Sequence, residues 1–195
     1  MPATASVVAD SRVVAVYDKG PDKGAVVVRE TVLREAAGGE AIATLTRTAF
    51  ARGDGGFGGP AGPTPDGDAP PPRPTRAPDE VVDLPTRIDL ALLYRLCGDR
   101  NPLHADPEVA RATGFDRPIL HGLCTYGITC RAVLRAFCDN DPARVHSHAA
   151  RFSAPVLPGD TVTVELWRDG RTVFFEAHVR ARGVAVIKNG IALLR

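Results

Sequence analysis

Hydrophobic and polar positions divide the chain into two patterned halves with an unpatterned stretch between them. In the first half, Arg12–Tyr17, Ala25–Leu33 and Glu40–Arg52 carry β-branched residues in partial alternation, which predicts three strands. The turns between them, Lys19-Gly20-Pro21-Asp22 and Ala37-Gly38-Gly39, suit antiparallel hairpins. No amphipathic helix is found among these strands. From Gly53 to Pro78 the chain is dense in Gly and Pro, so it buries too little apolar surface to offset its ordering entropy and reads as a linker. Phe57, set among glycines, either belongs to that linker or lies over a ligand.

The second half switches period. Leu90, Leu93 and Tyr94 share one face of a short helix over Asp89–Leu96. A second short helix is predicted from Asp106, a natural N-cap followed by Pro107 at the first helical position, to Gly114. The long helix runs from Gly122 to Cys138, with Leu123, Tyr126, Gly127, Cys130, Val133, Leu134 and Phe137 on its apolar stripe. Gly127 is placed to let that helix approach a sheet closely. Four strands follow: Val145–Val156, Thr161–Trp167, Thr172–Ala181 and Val184–Leu194, with turns at Pro158-Gly159 and Asp169-Gly170. One apolar helix followed by antiparallel strands implies an α+β architecture, an antiparallel sheet wrapped around a central helix, which is the hot-dog fold. The expected organisation is a partial hot-dog half of strands alone over 1–52, a linker over 53–82 and a complete hot-dog domain over 83–195.

Charge narrows the partners. The chain carries 24 basic and 23 acidic residues, which gives no electrostatic case for nucleic acid. No basic tract suggests a membrane surface, and no apolar run reaches transmembrane length. Residues 1–10 lack the regions of a signal peptide, and Ala192-Leu193-Leu194-Arg195 is not a peroxisomal address, so a cytoplasmic protein is expected. Cys97, Cys124, Cys130 and Cys138 show no paired spacing and read as small buried thiols.

The chemistry concentrates in Cys97-Gly98-Asp99-Arg100-Asn101-Pro102-Leu103-His104, which places a carboxylate, an amide and an imidazole within six residues. Such a cluster can hold one water between an acid and a base, as hydration of a polarised double bond requires. Downstream, Asp116 to Thr125 leads into the long helix, whose free N–H groups could receive an oxyanion. His121 reads as a packing residue behind the site, and His146 and His148, alternating on a strand, as exposed or half-buried positions. A metal site built from Asp99, His104 and His121 is a competing use of the same side chains.

The run from Tyr94 to His104 closely resembles the signature of the type 2 enoyl-CoA hydratases and MaoC-like dehydratases. The resemblance continues through Ala105-Asp106-Pro107, Gly114-Phe115, Arg117 to Thr125, and Arg151 to Gly159. In the first half, Val16 to Gly20 and Arg52 to Gly59 look like the noncatalytic half of the two-hot-dog members. This resemblance implies reversible syn hydration of trans-2-enoyl-CoA to (3R)-3-hydroxyacyl-CoA. Asp99 and His104 would be the catalytic pair, with His104 favoured as the base that activates water and Asp99 as the group that protonates C2. Asn101 would orient the water or the pair, and the Gly122 N–H would polarise the thioester carbonyl. Arg100, Pro102, Leu103 and Phe152 would contact substrate. The family uses no metal, and coenzyme A enters as part of the substrate, so no separate cofactor is expected. The same site could serve as a dehydratase of (3R)-hydroxyacyl groups on coenzyme A or acyl carrier protein. A noncatalytic hot-dog partner subunit is the alternative of a different class, and the complete Asp–His motif argues against it. The first half lacks the helix of the two-hot-dog members and looks truncated, which predicts an exposed apolar sheet face. The expected cover is a second copy of the chain, as a homodimer, or another MaoC-like subunit.

Overall fold

The computed structural model describes residues 4–62 and 71–195 of the chain, which divides into two compact units, 1–69 and 70–195. The middle of the Gly/Pro-rich stretch, residues 63–70, lies outside the described residues.

Unit 1 is a three-stranded antiparallel sheet in the order β1-β2-β3: β1 is Val7–Asp18, β2 Ala25–Glu35 and β3 Ala41–Ala51. Strand β1 begins five residues before the segment that alternation picks out, because Val7 to Ser11 find cross-strand partners in Thr31 to Glu35 of the long β2. Among the described residues of this unit only Asp18, Gly24 and Ala25 are buried, and Val7, Val8, Val13, Val14, Leu45 and Phe50 are exposed. The Asp18 carboxylate accepts hydrogen bonds from the N–H groups of Gly20 at 2.8 Å, Gly56 at 2.7 Å and Gly58 at 2.7 Å. Those bonds hold the carboxyl below its ordinary range, Gly56 contributing most. The glycine-rich loop is thus tied to the end of β1, with the Phe57 ring about half exposed.

Unit 2 contains a five-stranded antiparallel sheet in the order β4-β6-β7-β8-β5. Its strands are β4 Glu80–Pro85, β5 Val145–Phe152, β6 Thr161–Asp169, β7 Thr172–Val179 and β8 Val184–Leu194. Strand β4 straddles the expected boundary between the linker over 53–82 and the domain over 83–195. Val82 and Leu84 alternate inward there and pair with Val164 and Val162 of β6. A six-residue edge strand ending in proline carries too little periodicity to stand out beside a proline-rich run.

Three helices fill the space between β4 and β5 in sequence: α1 Leu90–Tyr94, α2 Pro107–Ala112 and α3 Gly122–Phe137. Helix α3 packs against β4, β5 and β6. The core lies between it and the sheet, where Val162, Val164, Leu166, Val173, Phe175, Ala177, Val179, Val186 and Ile187 are buried together with Ala132 and Val133. This is the hot-dog arrangement of a sheet around a central helix.

The buried face of α3 is rotated from its expected stripe. Cys124, Thr125, Thr129, Ala132 and Val133 face the sheet, and Leu123 is 68% exposed. Small side chains and hydroxyls allow close approach, and Thr129 satisfies its hydroxyl by donating to the Tyr126 carbonyl at 2.8 Å. Gly127, expected against the sheet, faces open space instead. His148 is half-buried on β5, within the range expected of it. Its ring stacks on Phe175 with centroids 4.7 Å apart, meets Tyr126 edge-on at 4.5 Å, and is held neutral by burial. Among the described residues no helix is long and apolar enough to cross a membrane.

Candidate active site

The site is built on a chain reversal between α1 and α2. After α1 the chain tightens into a 3₁₀ turn, Arg95–Cys97, and Gly98 ends it at φ 110°, a left-handed conformation that a side chain would strain. Two side chains then fold the following run upon itself. Asp99 Oδ1 accepts from the Asn101 N–H at 3.2 Å, and Asn101 Oδ1 accepts from the Leu103 N–H at 3.0 Å. The second bond caps the 3₁₀ turn Pro102–His104, in which Pro102 supplies a preset φ at the first position. Asp106 caps α2 as expected, accepting from Glu108 and Val109 N–H groups.

This folding leaves Asp99 and Asn101 exposed and turns His104 inward, to 8% exposure. His104 Nδ1 lies 2.8 Å from the carbonyl oxygen of Ile119. A carbonyl only accepts, so Nδ1 carries the hydrogen and Nε2 carries a lone pair. The Ile119 segment is itself anchored by the Leu120 N–H, which donates to the Val156 carbonyl at 2.8 Å.

One ring nitrogen each of His104 and His121 and a carboxylate oxygen of Asp99 lie within 4.8 Å of one another. Two hydrogen bonds of about 2.8 Å meeting at the tetrahedral angle of a water span about 4.6 Å, so one water fits between carboxylate and imidazole. The same three residues are a conceivable metal set. However, the His104 and His121 rings stack with centroids 3.7 Å apart and planes at 26°. Near-parallel rings send their in-plane lone pairs side by side rather than to one point, which fits acid–base work better than shared ligation.

His104 also forms one wall of a cavity of about 220 Å³, lined further by Ile88, Ala91, Leu92, Arg117 and Pro118. Gly122 is the first residue of α3, whose N-cap, His121, makes no side-chain cap bond, so the helix opens with free N–H groups. A Cβ on Gly122 would meet the Phe152 ring at 3.5 Å, which places that exposed ring beside the helix tip.

The structure thus brings Asp99, Asn101 and His104 into one turn and sets Phe152 against Gly122. Arg100, Pro102 and Leu103 lie in the same run without forming the cavity wall; Arg100 and Pro102 are exposed and Leu103 is half-buried. Sequence reading passed over Ile88, Leu92 and Arg117 as cavity residues. His121, read from the sequence as a packing residue behind the site, is 1% exposed, and its Nε2 lies 3.1 Å from the carbonyl oxygen of Asp99. The available signal was the position of Arg117 and His121 inside the run that opens α3.

Comparison with known proteins agrees with this architecture. The chain is 46% identical over 194 residues to a protein named Enoyl-CoA hydratase ChsH3 of Mycobacterium tuberculosis, covering all of this chain and 65% of that protein. It is 43% identical over 190 residues to one named Probable enoyl-CoA hydratase 2 of Dictyostelium discoideum, covering 96% of this chain and 63% of that protein. The solved structure of the full-length peroxisomal multifunctional enzyme type 2 from Drosophila melanogaster superimposes with a TM-score of 0.82 at 39% identity, over all of this chain and 35% of that one. The chain therefore spans somewhat under two-thirds of the length of these first two relatives. Residues 70–190, which hold the reversal at Asp99, the buried His104 and the tip of α3, match the family described as MaoC like domain, and the chain belongs to that family.

Proposed function

We propose that this chain is a hydro-lyase that adds water across trans-2-enoyl-CoA thioesters to give (3R)-3-hydroxyacyl-CoA, and that the reaction is reversible. The observation that carries this reading is the tautomer of His104. Its Nδ1–H is committed to the Ile119 carbonyl, which leaves the lone pair on Nε2, and the ring lies with one nitrogen within 4.8 Å of an Asp99 carboxylate oxygen. The names of two relatives, Enoyl-CoA hydratase ChsH3 and Probable enoyl-CoA hydratase 2, support the reaction class, and the family resemblance supports the (3R) configuration.

In this mechanism His104 Nε2 takes a proton from the water held against Asp99 as the water oxygen bonds to C3. The electron pair of the double bond moves onto the thioester oxygen, which lies at the free N–H of Gly122. The proton held by His104 passes to Asp99, which delivers it to C2 as the enolate collapses. One water is added, both catalytic groups end as they began, and the two new bonds form on one face of the substrate. Proton transfer by a positioned side chain contributes about 10²–10⁴-fold, and removing one oxyanion donor costs roughly 3 kcal/mol. Asn101, with Oδ1 engaged in its own turn, keeps its amide N–H groups for the water.

The test is the loss of enoyl thioester absorbance with crotonyl-CoA and longer-chain substrates, with chiral analysis of the product. Asp99→Asn and His104→Gln are each expected to lower kcat by about 10³-fold with little change in KM. Absence of turnover in the wild-type protein, or turnover that survives both substitutions, removes this reading.

A further inference from the structure

His121 is buried at the N-terminus of α3, outside the acid–base pair, yet it touches both members of that pair. We propose that His121 is a positioning residue that holds Asp99 and His104 in one register, by a hydrogen bond to the main chain of the first and a ring stack on the second. The proposal rests on the hydratase reading above and goes beyond it by assigning a task to a residue that does not meet substrate.

Asp99 needs such an anchor. It sits exposed on a turn entered through Gly98, where a Cβ would meet nothing within 4 Å. Among the described residues its carboxylate accepts only from the Asn101 N–H of its own turn. His121 Nε2, 3.1 Å from the Asp99 carbonyl oxygen, ties that turn to the rigid start of α3. The other face of the problem is His104, fixed at one edge by Ile119 and free to rock about that bond. The His121 ring, 3.7 Å away and nearly parallel, blocks that rocking. Tyr94 packs on His121 at 4.8 Å from α1, so that three rings in series join α1, α3 and the catalytic turn.

The tautomer of His121 follows from the same contact. Its Nε2 donates to a carbonyl, so Nδ1 bears the lone pair, and this atom is buried without a partner. Burial first, and then the like charge of a protonated His104, hold its basicity below the ordinary histidine range, although the Asp99 carbonyl opposes this. Arg95 and the Asp99 carboxylate are the other charged groups that face it, and they act in opposite directions. His121 therefore remains an uncharged prop while His104 takes the proton of the reaction. Imidazole suits the task because it supplies a flat face and an in-plane donor at once.

Two substitutions separate those properties. His121→Phe keeps the flat face and loses the donor, and His121→Gln keeps a donor near the Nε2 position and loses the face. Each is measured in the full chain, as kcat and KM with crotonyl-CoA and as amide hydrogen exchange at Asn101, Leu103 and His104 relative to core amides such as Val164 and Phe175. His121→Phe is expected to lower kcat by about 10–100-fold with KM within about threefold, and to speed exchange in the turn while leaving the core unchanged. His121→Gln is expected to retain turn protection with an intermediate kcat. Wild-type kcat in folded His121→Phe overturns the proposal, as does exchange that rises equally in turn and core, or a Gln variant no better than Phe. Should His121→Phe not fold, His121→Gln decides by itself, since the proposal requires reduced kcat with turn protection kept. A wild-type protein without hydratase activity would fail the function proposed above, whereas the exchange arm would still judge His121.

Discussion

A histidine means different things at different depths in this chain, and the surroundings of the ring decide which. His104 has one nitrogen tied to a carbonyl and lines a cavity, the arrangement on which its proposed role as base rests. His148 is wedged between Phe175 and Tyr126 with a buried, unpartnered Nδ1, and burial pushes its pKa down to about 4. Its folded-state affinity for a proton is below that of the unfolded chain, whose histidines titrate near 6.5. The corresponding stability is therefore present above pH 6.5 and is lost as the pH falls from about 6.5 toward 4, by an amount on the order of 3 kcal/mol. Urea unfolding at a series of pH values is expected to show this acid-side slope, and His148→Leu to flatten it. A slope unchanged in that variant would place the titration elsewhere. Asp99, Asn101 and His104 were legible as a unit because their turn is local: each cap lies two residues from its acceptor or donor. The ring partners of His148 and the ring stack on His121 were not legible, since both depend on elements far away in the chain.

At the level of the element, helix α3 joins packing to chemistry, and a proline can separate the two. The preceding residue, His121, has φ −57° and ψ 137°, the extended conformation that a following proline requires. Gly122 occupies the first helical position, where proline is well tolerated because its missing N–H has no helical partner. Gly122→Pro is thus expected to leave the melting temperature nearly unchanged and to lower kcat by about 10²–10³-fold, through loss of the proposed oxyanion donor. A fully active variant would show that another N–H serves the carbonyl. Helix α2 provides the structural contrast: Asp106→Ala removes its N-cap and is expected to cost about 1 kcal/mol of stability in urea unfolding, with kcat per folded molecule maintained. Helix starts were readable in advance because Asp106-Pro107 is local capping chemistry. The orientation of α3 was not, because several apolar stripes are available on a 16-residue helix and only the sheet selects among them.

For the whole molecule, the two units differ in how they bury their surfaces. Unit 2 closes its sheet around α3, whereas unit 1 is three strands with Val7, Val8, Val13, Val14, Leu45 and Phe50 exposed. A sheet bearing this much exposed valine is expected to associate with a second copy or a related subunit. Light scattering coupled to size exclusion is expected to give a mass above the 20.7 kDa of one chain, and a well-behaved monomer would count against it. Sequence alone determined the hairpins of unit 1, the capped helix α2, the strands β5 to β8 and the turn that carries Asp99, Asn101 and His104, since each follows from periodicity or from contacts a few residues apart. Tertiary structure alone decided that β4 joins the sheet, that α3 presents Thr125, Thr129 and Ala132 inward, and that His121 lies against His104. Those outcomes depend on pairings between residues as distant as Val82 and Val164, which no local pattern encodes.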